Sequence, residues 1–244
     1  MLESVAMADI GKKRKLNQDV VYATMDTVGN LPNLFIVADG MGGHSGGELA
    51  SKWSVETVLD IVKNSKHTEA EAIFEQAVQA ANKTIRQRAS ESDVLHGMGT
   101  TLVMASIDEN AVQVANVGDS RLYLAEPKKK SIRQITVDHS LVEEMIVGGR
   151  ISREDARYHP DKHIITRAIG AKEWLTADFF RVELKGRELI LMCSDGLSNM
   201  LRDDEMAKIL HGKKSIVQKA NDLIKAANDK GGSDNIAVIL VSIG

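Results

Sequence analysis

The sequence of 244 residues predicts an α+β fold, in which helices cover sheets made of short strands. Three observations predict this class. Two helical patterns follow one another after a glycine-rich loop, consecutive short segments rich in Val, Thr and Leu come next, and further apolar segments surround one more helix near the C-terminal end. Consecutive short strands favour antiparallel pairing, so we expect antiparallel sheets.

The first clear strand is the apolar run 34–38, LFIVA, which is typical of a strand buried on both faces. Asp39 follows it directly and begins a glycine-rich loop. The last residue of a buried strand lies where side chains meet solvent. An acid in that position is therefore placed to bind a ligand, and the glycines beside it allow the backbone to approach that ligand closely.

The other elements follow from their patterns in chain order. Three helices are predicted. The first spans 47–62, the second follows a capping box at 68–71, and the third starts from Ser215. Strands are predicted over 100–107, 111–117, 121–125, 176–184, 188–193 and 236–241. The segment 141–163 has weak periodicity, a break at Gly148-Gly149 and a possible cap at Ser152. We expect one domain spanning 1–244, with a flap at 141–163.

Composition excludes several classes of protein. The 31 basic and 34 acidic residues give a net charge of −3, which argues against nucleic-acid binding through phosphate contacts. No apolar run approaches the roughly 20 residues that span a bilayer, and the N-terminus lacks a signal-peptide core, so a cytoplasmic location without membrane insertion is expected. The basic run 12–15 is typical of a solvated face, and Cys193 lies in an apolar run where a structural role is expected.

Four aspartates lie near glycines at predicted strand edges: Asp39, Asp119, Asp195 and Asp234. Each Asp and Gly pair taken alone is typical of a turn. If the four edges converge, the carboxylates tolerate one another only with protons or cations between them. Oxygen ligands suit hard cations such as Mg²⁺ or Mn²⁺, whereas zinc favours His and Cys.

Three other known motifs do not match this sequence. A zinc-protease pair at His159 and His163 lacks the glutamate and contains Pro160. A phosphate-binding Walker loop requires Lys where the chain has Glu48, and a dinucleotide fingerprint requires Gly where it has Ser45.

Five ordered motifs carry a resemblance to a known family. They are 14–19 (RKLNQD), 39–44 (DGMGGH), 118–121 (GDSR), 194–197 (SDGL) and 233–236 (SDNI). Together they resemble the type 2C metal-dependent protein serine/threonine phosphatases, or PPM family, in their short bacterial form. The resemblance covers nearly the whole chain and implies a β-sandwich of two antiparallel sheets flanked by α-helices.

The resemblance also implies a site with two Mn²⁺ or Mg²⁺ ions, and a third ion in bacterial members. Asp39 would bridge the two core ions, the Gly40 carbonyl would bind one of them, and Asp195 and Asp234 would hold the other. Asp119, sharing Asp195, would bind the third.

Arg14 and Asp39 are the catalytic residues that the resemblance implies, with Arg14 as the clamp on the phosphate. A metal-activated water would attack phosphorus, without a covalent phospho-enzyme. The implied partners are phosphorylated proteins, including a bacterial serine/threonine kinase that the enzyme counteracts, and we expect a monomer.

Three positions depart from the family pattern. Gln18 stands where many members have Glu, Met41 where eukaryotic members have a candidate general-acid His, and Asn199 where many members have another Asp. The group that protonates the leaving alkoxide is thus open, although His44 is near in sequence. Two alternatives also stay open: a phosphatase of partner-switching antagonists, and a binding module without catalysis, which the intact aspartates disfavour.

Overall fold

Two antiparallel sheets form the centre of the protein. The computed structural model describes residues 2–42, 46–126 and 129–244. The strands are β1 Leu2–Asp9, β2 Asp19–Thr24, β3 Leu34–Met41, β4 Gly99–Thr100, β5 Leu102–Ile107, β6 Ala111–Val117, β7 Arg121–Ala125, β8 Ile132–Gln134, β9 Asp178–Glu183, β10 Leu189–Cys193 and β11 Ile236–Ile243. One sheet has the order β1-β11-β10-β7-β8. The other has the order β2-β3-β5-β6-β9, with β4 paired to β3.

Helices flank these sheets, and two short ones lie within the segment 141–163. They are α1 Gly46–Asn64, α2 Ala70–Ser90, α3 Leu141–Val147, α4 Arg153–Ala156, α5 Asp195–Ser198, α6 Asp203–Leu210 and α7 Ile216–Asp229. Among the described residues, no helix combines the length and the apolar character that a membrane span requires.

Strand β3 illustrates how the layers pack. Its side chains alternate: Phe35 and Val37 join the core between the two sheets, whereas Leu34, Ile36 and Ala38 join the core beneath α1 and α2. All five are fully buried, which confirms the prediction of a strand buried on both faces.

Several sequence predictions need correction. Asp39 does not end its strand, because β3 continues to Met41 and pairs there with β4. The capping box at 68–71 is wrong: Glu69 is the N-cap of α2 and its side chain makes no cap hydrogen bond. By contrast, the cap at Ser152 is confirmed and forms a reciprocal capping box. The helix predicted from Ser215 is α7, and Ser215 is its N-cap, also in a reciprocal capping box.

The segment 141–163, which the sequence predicts to be a flap and which we call the flap segment, is held together internally. Arg153 of α4 donates through both terminal nitrogens to the two carboxylate oxygens of Glu143 in α3, at 3.2 and 2.9 Å. Helix α3 ends at Gly148, and Gly149 has φ 67°, a conformation that glycine adopts without strain. Arg153 therefore connects α4 to α3 within the segment.

Candidate active site

A cleft of about 500 Å³ lies where several strand ends meet. The register explains the convergence: the end of β3 pairs with the start of β2, and the end of β10 pairs with the beginning of β11. All the residues that the resemblance implied as site residues line this cleft: Arg14, Asp39, Gly40, Asp119, Asp195 and Asp234. A second cavity of about 360 Å³ adjoins it beneath the flap segment and shares Asp119 and Asp195.

Two glycines allow the backbone segments of the cleft to approach one another. A Cβ added to Gly40 would lie 2.0 Å from the carbonyl oxygen of Gly47, and one added to Gly196 would lie 1.9 Å from the carbonyl oxygen of Asn235. Neither position tolerates a side chain. Gly40 thus brings α1 against β3, while Gly196 brings the turn of Asp195 against the start of β11.

Burial and, after it, mutual repulsion raise the pKa values of the carboxyls in the cleft. Burial raises the pKa of Asp39 well above its usual range, and the charges of Asp19, Asp195, Asp119 and Asp234 raise it further. Burial raises the pKa of Asp119 well above its usual range as well, and the charge of Asp195 is the next largest cause. For Asp195, burial and Asp234 raise the pKa, while a hydrogen bond with Asp39 opposes them. This site therefore favours protons or cations between its carboxylates.

Arg14 contacts one of the proposed ligands directly. Its Nη2 lies 2.7 Å from Oδ2 of Asp234, and this hydrogen bond is the main reason that the pKa of Arg14 is raised. The other oxygen of Asp234, Oδ1, accepts the backbone N–H of Asn235 at 2.9 Å. In the structure, the predicted phosphate clamp and a predicted metal ligand are thus partners of each other.

Asp19 is a site residue that the sequence analysis missed. It is 6% exposed and lies opposite Asp39 in the β2–β3 register. Its Oδ2 accepts the Ser194 hydroxyl at 2.7 Å, whereas its Oδ1 has no hydrogen-bond partner among the described residues. Burial raises the pKa of Asp19 to about 7. The signal was present in the sequence, because Asp19 ends the 14–19 motif.

Other residues around the cleft were given no role by sequence. Thr101 lines it and accepts the backbone N–H of Asp39 at 2.9 Å, and His163 of the flap segment lines it too. Gln18 and Met41, which depart from the family pattern, lie in the same lining. His44 lies outside the described residues.

The donor set fits a hard divalent cation. It consists of carboxylate and carbonyl oxygens, and the raised pKa values indicate charges that a cation would offset. Asp19, whose Oδ1 has no hydrogen-bond partner among the described residues, lies opposite Asp39 in the register and adds to this charge. Within the described ranges, no three His, Cys, Asp or Glu side chains already form a metal-binding group. In the structure, Oδ2 of Asp234 accepts a hydrogen bond from Arg14 at 2.7 Å.

Comparison with known proteins assigns the class. The model of the family described as Protein phosphatase 2C matches residues 11–240. The chain therefore belongs to the protein phosphatase 2C family. A serine/threonine phosphatase named stp from Listeria welshimeri is 43% identical over 239 residues, which cover 96% of this chain and 92% of that protein.

Solved structures agree with the family. The serine/threonine phosphatase Stp1 from Staphylococcus aureus is similar with a TM-score of 0.92 and 33% identity, over 100% of this chain and 96% of that one. The catalytic domain of the phosphatase PstP, solved in complex with two manganese ions, has a TM-score of 0.86 and 30% identity, over 99% and 98% of the two chains. The predicted family, sandwich fold and enzyme class are confirmed: this protein is a metal-dependent phosphoprotein phosphatase.

Proposed function

We propose that the protein hydrolyses phosphoserine and phosphothreonine in other proteins, with Mn²⁺ or Mg²⁺ as cofactor. Asp39, the Gly40 carbonyl, Asp195 and Asp234 would hold two ions, and Asp119 with Asp195 would hold a third. The observation that supports this proposal most strongly is the meeting of these residues in one cleft, where burial and mutual repulsion raise the pKa values of the Asp39, Asp119 and Asp195 carboxyls.

When bound, the cations would activate the attacking water and neutralise charge on the phosphoryl oxygens. Arg14 would contribute a planar guanidinium, which matches two phosphate oxygens with two parallel N–H donors. It reaches the cleft already, since its Nη2 contacts Asp234 at 2.7 Å. Binding of substrate would exchange this carboxylate partner for the phosphate, and that exchange would release the Asp234 oxygen toward a cation.

A water nucleophile also agrees with the state of the single cysteine. Cys193 is fully buried in β10, and burial raises the pKa of its thiol to about 12. A nucleophilic cysteine requires a lowered pKa and access to substrate. Cys193 is therefore structural, as the sequence analysis expected.

Relatives support the substrate class. Both the Listeria and the Staphylococcus proteins are named serine/threonine phosphatases. We infer that this chain acts in the cytoplasm as a monomer. We also infer that it counteracts a serine/threonine kinase, because a phosphatase of this specificity removes the phosphate groups that such a kinase adds. A net charge of −3 gives no reason to expect nucleic acid as a partner.

Hydrolysis of a phosphothreonine peptide by the purified protein tests the proposal. We expect phosphate release with Mn²⁺ or Mg²⁺ and none in excess EDTA, with activity restored when Mn²⁺ is added back. Turnover that persists in EDTA would contradict the metal-dependent mechanism. A folded protein that binds the peptide but releases no phosphate under any of these conditions would favour a binding module instead.

A further inference from the structure

The turn that carries Asp119 lies directly against Thr101. This turn, 118–120, connects β6 to β7, and Gly118 has φ +104°. A Cβ at Gly118 would lie 2.6 Å from the methyl carbon of Thr101. The side chain of Thr101 thus sets how closely the turn can approach β5, and only glycine at 118 allows this contact.

The hydroxyl of Thr101 connects this turn to Asp39. Its Oγ1 accepts the backbone N–H of Asp39 at 2.9 Å and lies 2.7 Å from the hydroxyl of Ser120. Thr101 is 2% exposed and Ser120 is 0% exposed, so water does not compete for these bonds. A threonine hydroxyl has one donor and two acceptor sites, so it can serve both neighbours at once.

A second contact fixes the other end of the same turn. The N–H of Gly118 donates to Nδ1 of His139 at 3.1 Å, and the N–H of His139 donates to the carbonyl oxygen of Gly118 at 3.0 Å. These bonds hold the turn in place but do not reach Asp39. Thr101 is the residue that touches both the backbone of Asp39 and the neighbour of Asp119.

We propose that Thr101, acting through Ser120, is a positioning residue that sets the spacing between Asp39 and Asp119. It would thereby set the spacing between the two core cations and the third. This inference rests on the proposed function, since it takes these two aspartates as ligands of different ions. Residues that contact metal ligands from outside the coordination sphere commonly orient those ligands, and their loss costs about 10- to 100-fold in metal affinity.

Mn²⁺ titration of the full chain tests this role, with isothermal titration calorimetry and electron paramagnetic resonance as readouts of binding. Ser120→Ala removes the bridge but leaves the bond between Asp39 and Thr101. We expect it to weaken the weakest class of Mn²⁺ sites by about 10-fold and to leave the tighter ions unchanged. Thr101→Val keeps the shape of the side chain but removes both bonds, and should weaken all classes, whereas Thr101→Ser should bind the tight ions as the wild type does.

Ser106→Ala is the matched control. Ser106, in β5, is likewise a buried hydroxyl, 2% exposed, and it donates to the carbonyl oxygen of Asn33 at 2.9 Å; it is not among the residues that line the cleft. We expect this variant to lower Tm without changing Mn²⁺ binding. A Ser120→Ala protein that binds every Mn²⁺ ion as the wild type does would overturn the proposal, and so would a wild type with two Mn²⁺ sites and no third. A wild type that binds no Mn²⁺ would instead contradict the proposed function itself.

Discussion

Replacement of Arg14 by Ala separates phosphate recognition from general positive charge. The basic run 12–15 contains three lysines and one arginine, and of these four side chains only that of Arg14 lines the cleft. We expect Arg14→Ala to raise KM and to lower kcat/KM for phosphopeptides, because a guanidinium fork can donate two hydrogen bonds to one phosphate. The lysines on either side lack that geometry.

The expected size of the effect follows from the contacts. A hydrogen bond to a charged group contributes about 1.5–3 kcal/mol, and each 1.36 kcal/mol is about tenfold, so kcat/KM should fall by about 10- to 150-fold. Stability should change far less. The Arg14 and Asp234 side chains are 50% and 32% exposed, and exposed ion pairs contribute about 0–1 kcal/mol. Tm should therefore move by no more than about 4 °C.

The assay is steady-state hydrolysis of a phosphothreonine peptide at saturating Mn²⁺, which keeps metal occupancy equal among the variants. Arg14→Lys retains the charge without the fork and should fall between the wild type and Arg14→Ala. Lys12→Ala and Lys13→Ala are matched controls in the same loop and should stay near the wild type. Equal losses in all these variants would refute the clamp and indicate a diffuse basic surface.

Three further predictions concern the aspartates, the pH and the flap segment. Asp39→Asn and Asp234→Asn should each lower kcat by more than about 100-fold, which exceeds the loss typical of residues that only support a metal ligand. The circular dichroism spectrum should stay unchanged, and wild-type rates would mean that the cations bind elsewhere. The pKa of Asp19 is raised from 3.8 to about 7, so in EDTA the folded state binds this proton at a higher pH than the unfolded state does. Stability should rise as the pH falls from about 8 to about 5, and a Tm that falls over that range would contradict the assignment. Arg150→Ala or Arg153→Ala should change kcat/KM for phosphoproteins and not for a small aryl phosphate, because a small substrate need not reach the flap; equal losses on both would show that the segment supports the cleft instead.

The elements that could be predicted best from the sequence are those whose pattern lies within a short stretch of neighbouring residues. Strands β6 and β7 have the predicted bounds, and helix α7, predicted from Ser215, begins at Ile216 with Ser215 as its N-cap. These elements are buried along most of their length or have a cap with a side-chain signature, so neighbouring residues are enough to recognise them.

The two edge strands β1 and β2 escaped prediction for the opposite reason. Strands β1 and β2 are mostly half-exposed and lie at the edges of their sheets, so their apolar pattern is weak. Strand β1 pairs along its whole length with β11, from the other end of the chain. Pairing of this kind depends on the tertiary fold, which the pattern of a short segment does not contain.

The same distinction applies within the cleft. Asp39 and Asp195 come after apolar runs in the sequence, and that local signal predicts them. The pairing of Arg14 with Asp234 spans 220 residues, and the hydrogen bond from Ser194 to the buried Asp19 spans 175 residues. No local pattern predicts a partner at such a distance, even though each residue lies in a recognisable motif.

These long-range contacts explain how a costly arrangement of charges can persist in a stable fold. Buried carboxylates that repel one another destabilise the folded state when all are ionised. Arg14 offsets part of this repulsion at Asp234, and Ser194 offsets part at Asp19. These two contacts do not remove the repulsion in the cleft as a whole, since the pKa values of Asp39 and Asp119 are still well above the usual range. Cation binding would remove the remaining repulsion, so the same charges that weaken the metal-free fold would provide the affinity for the cofactor.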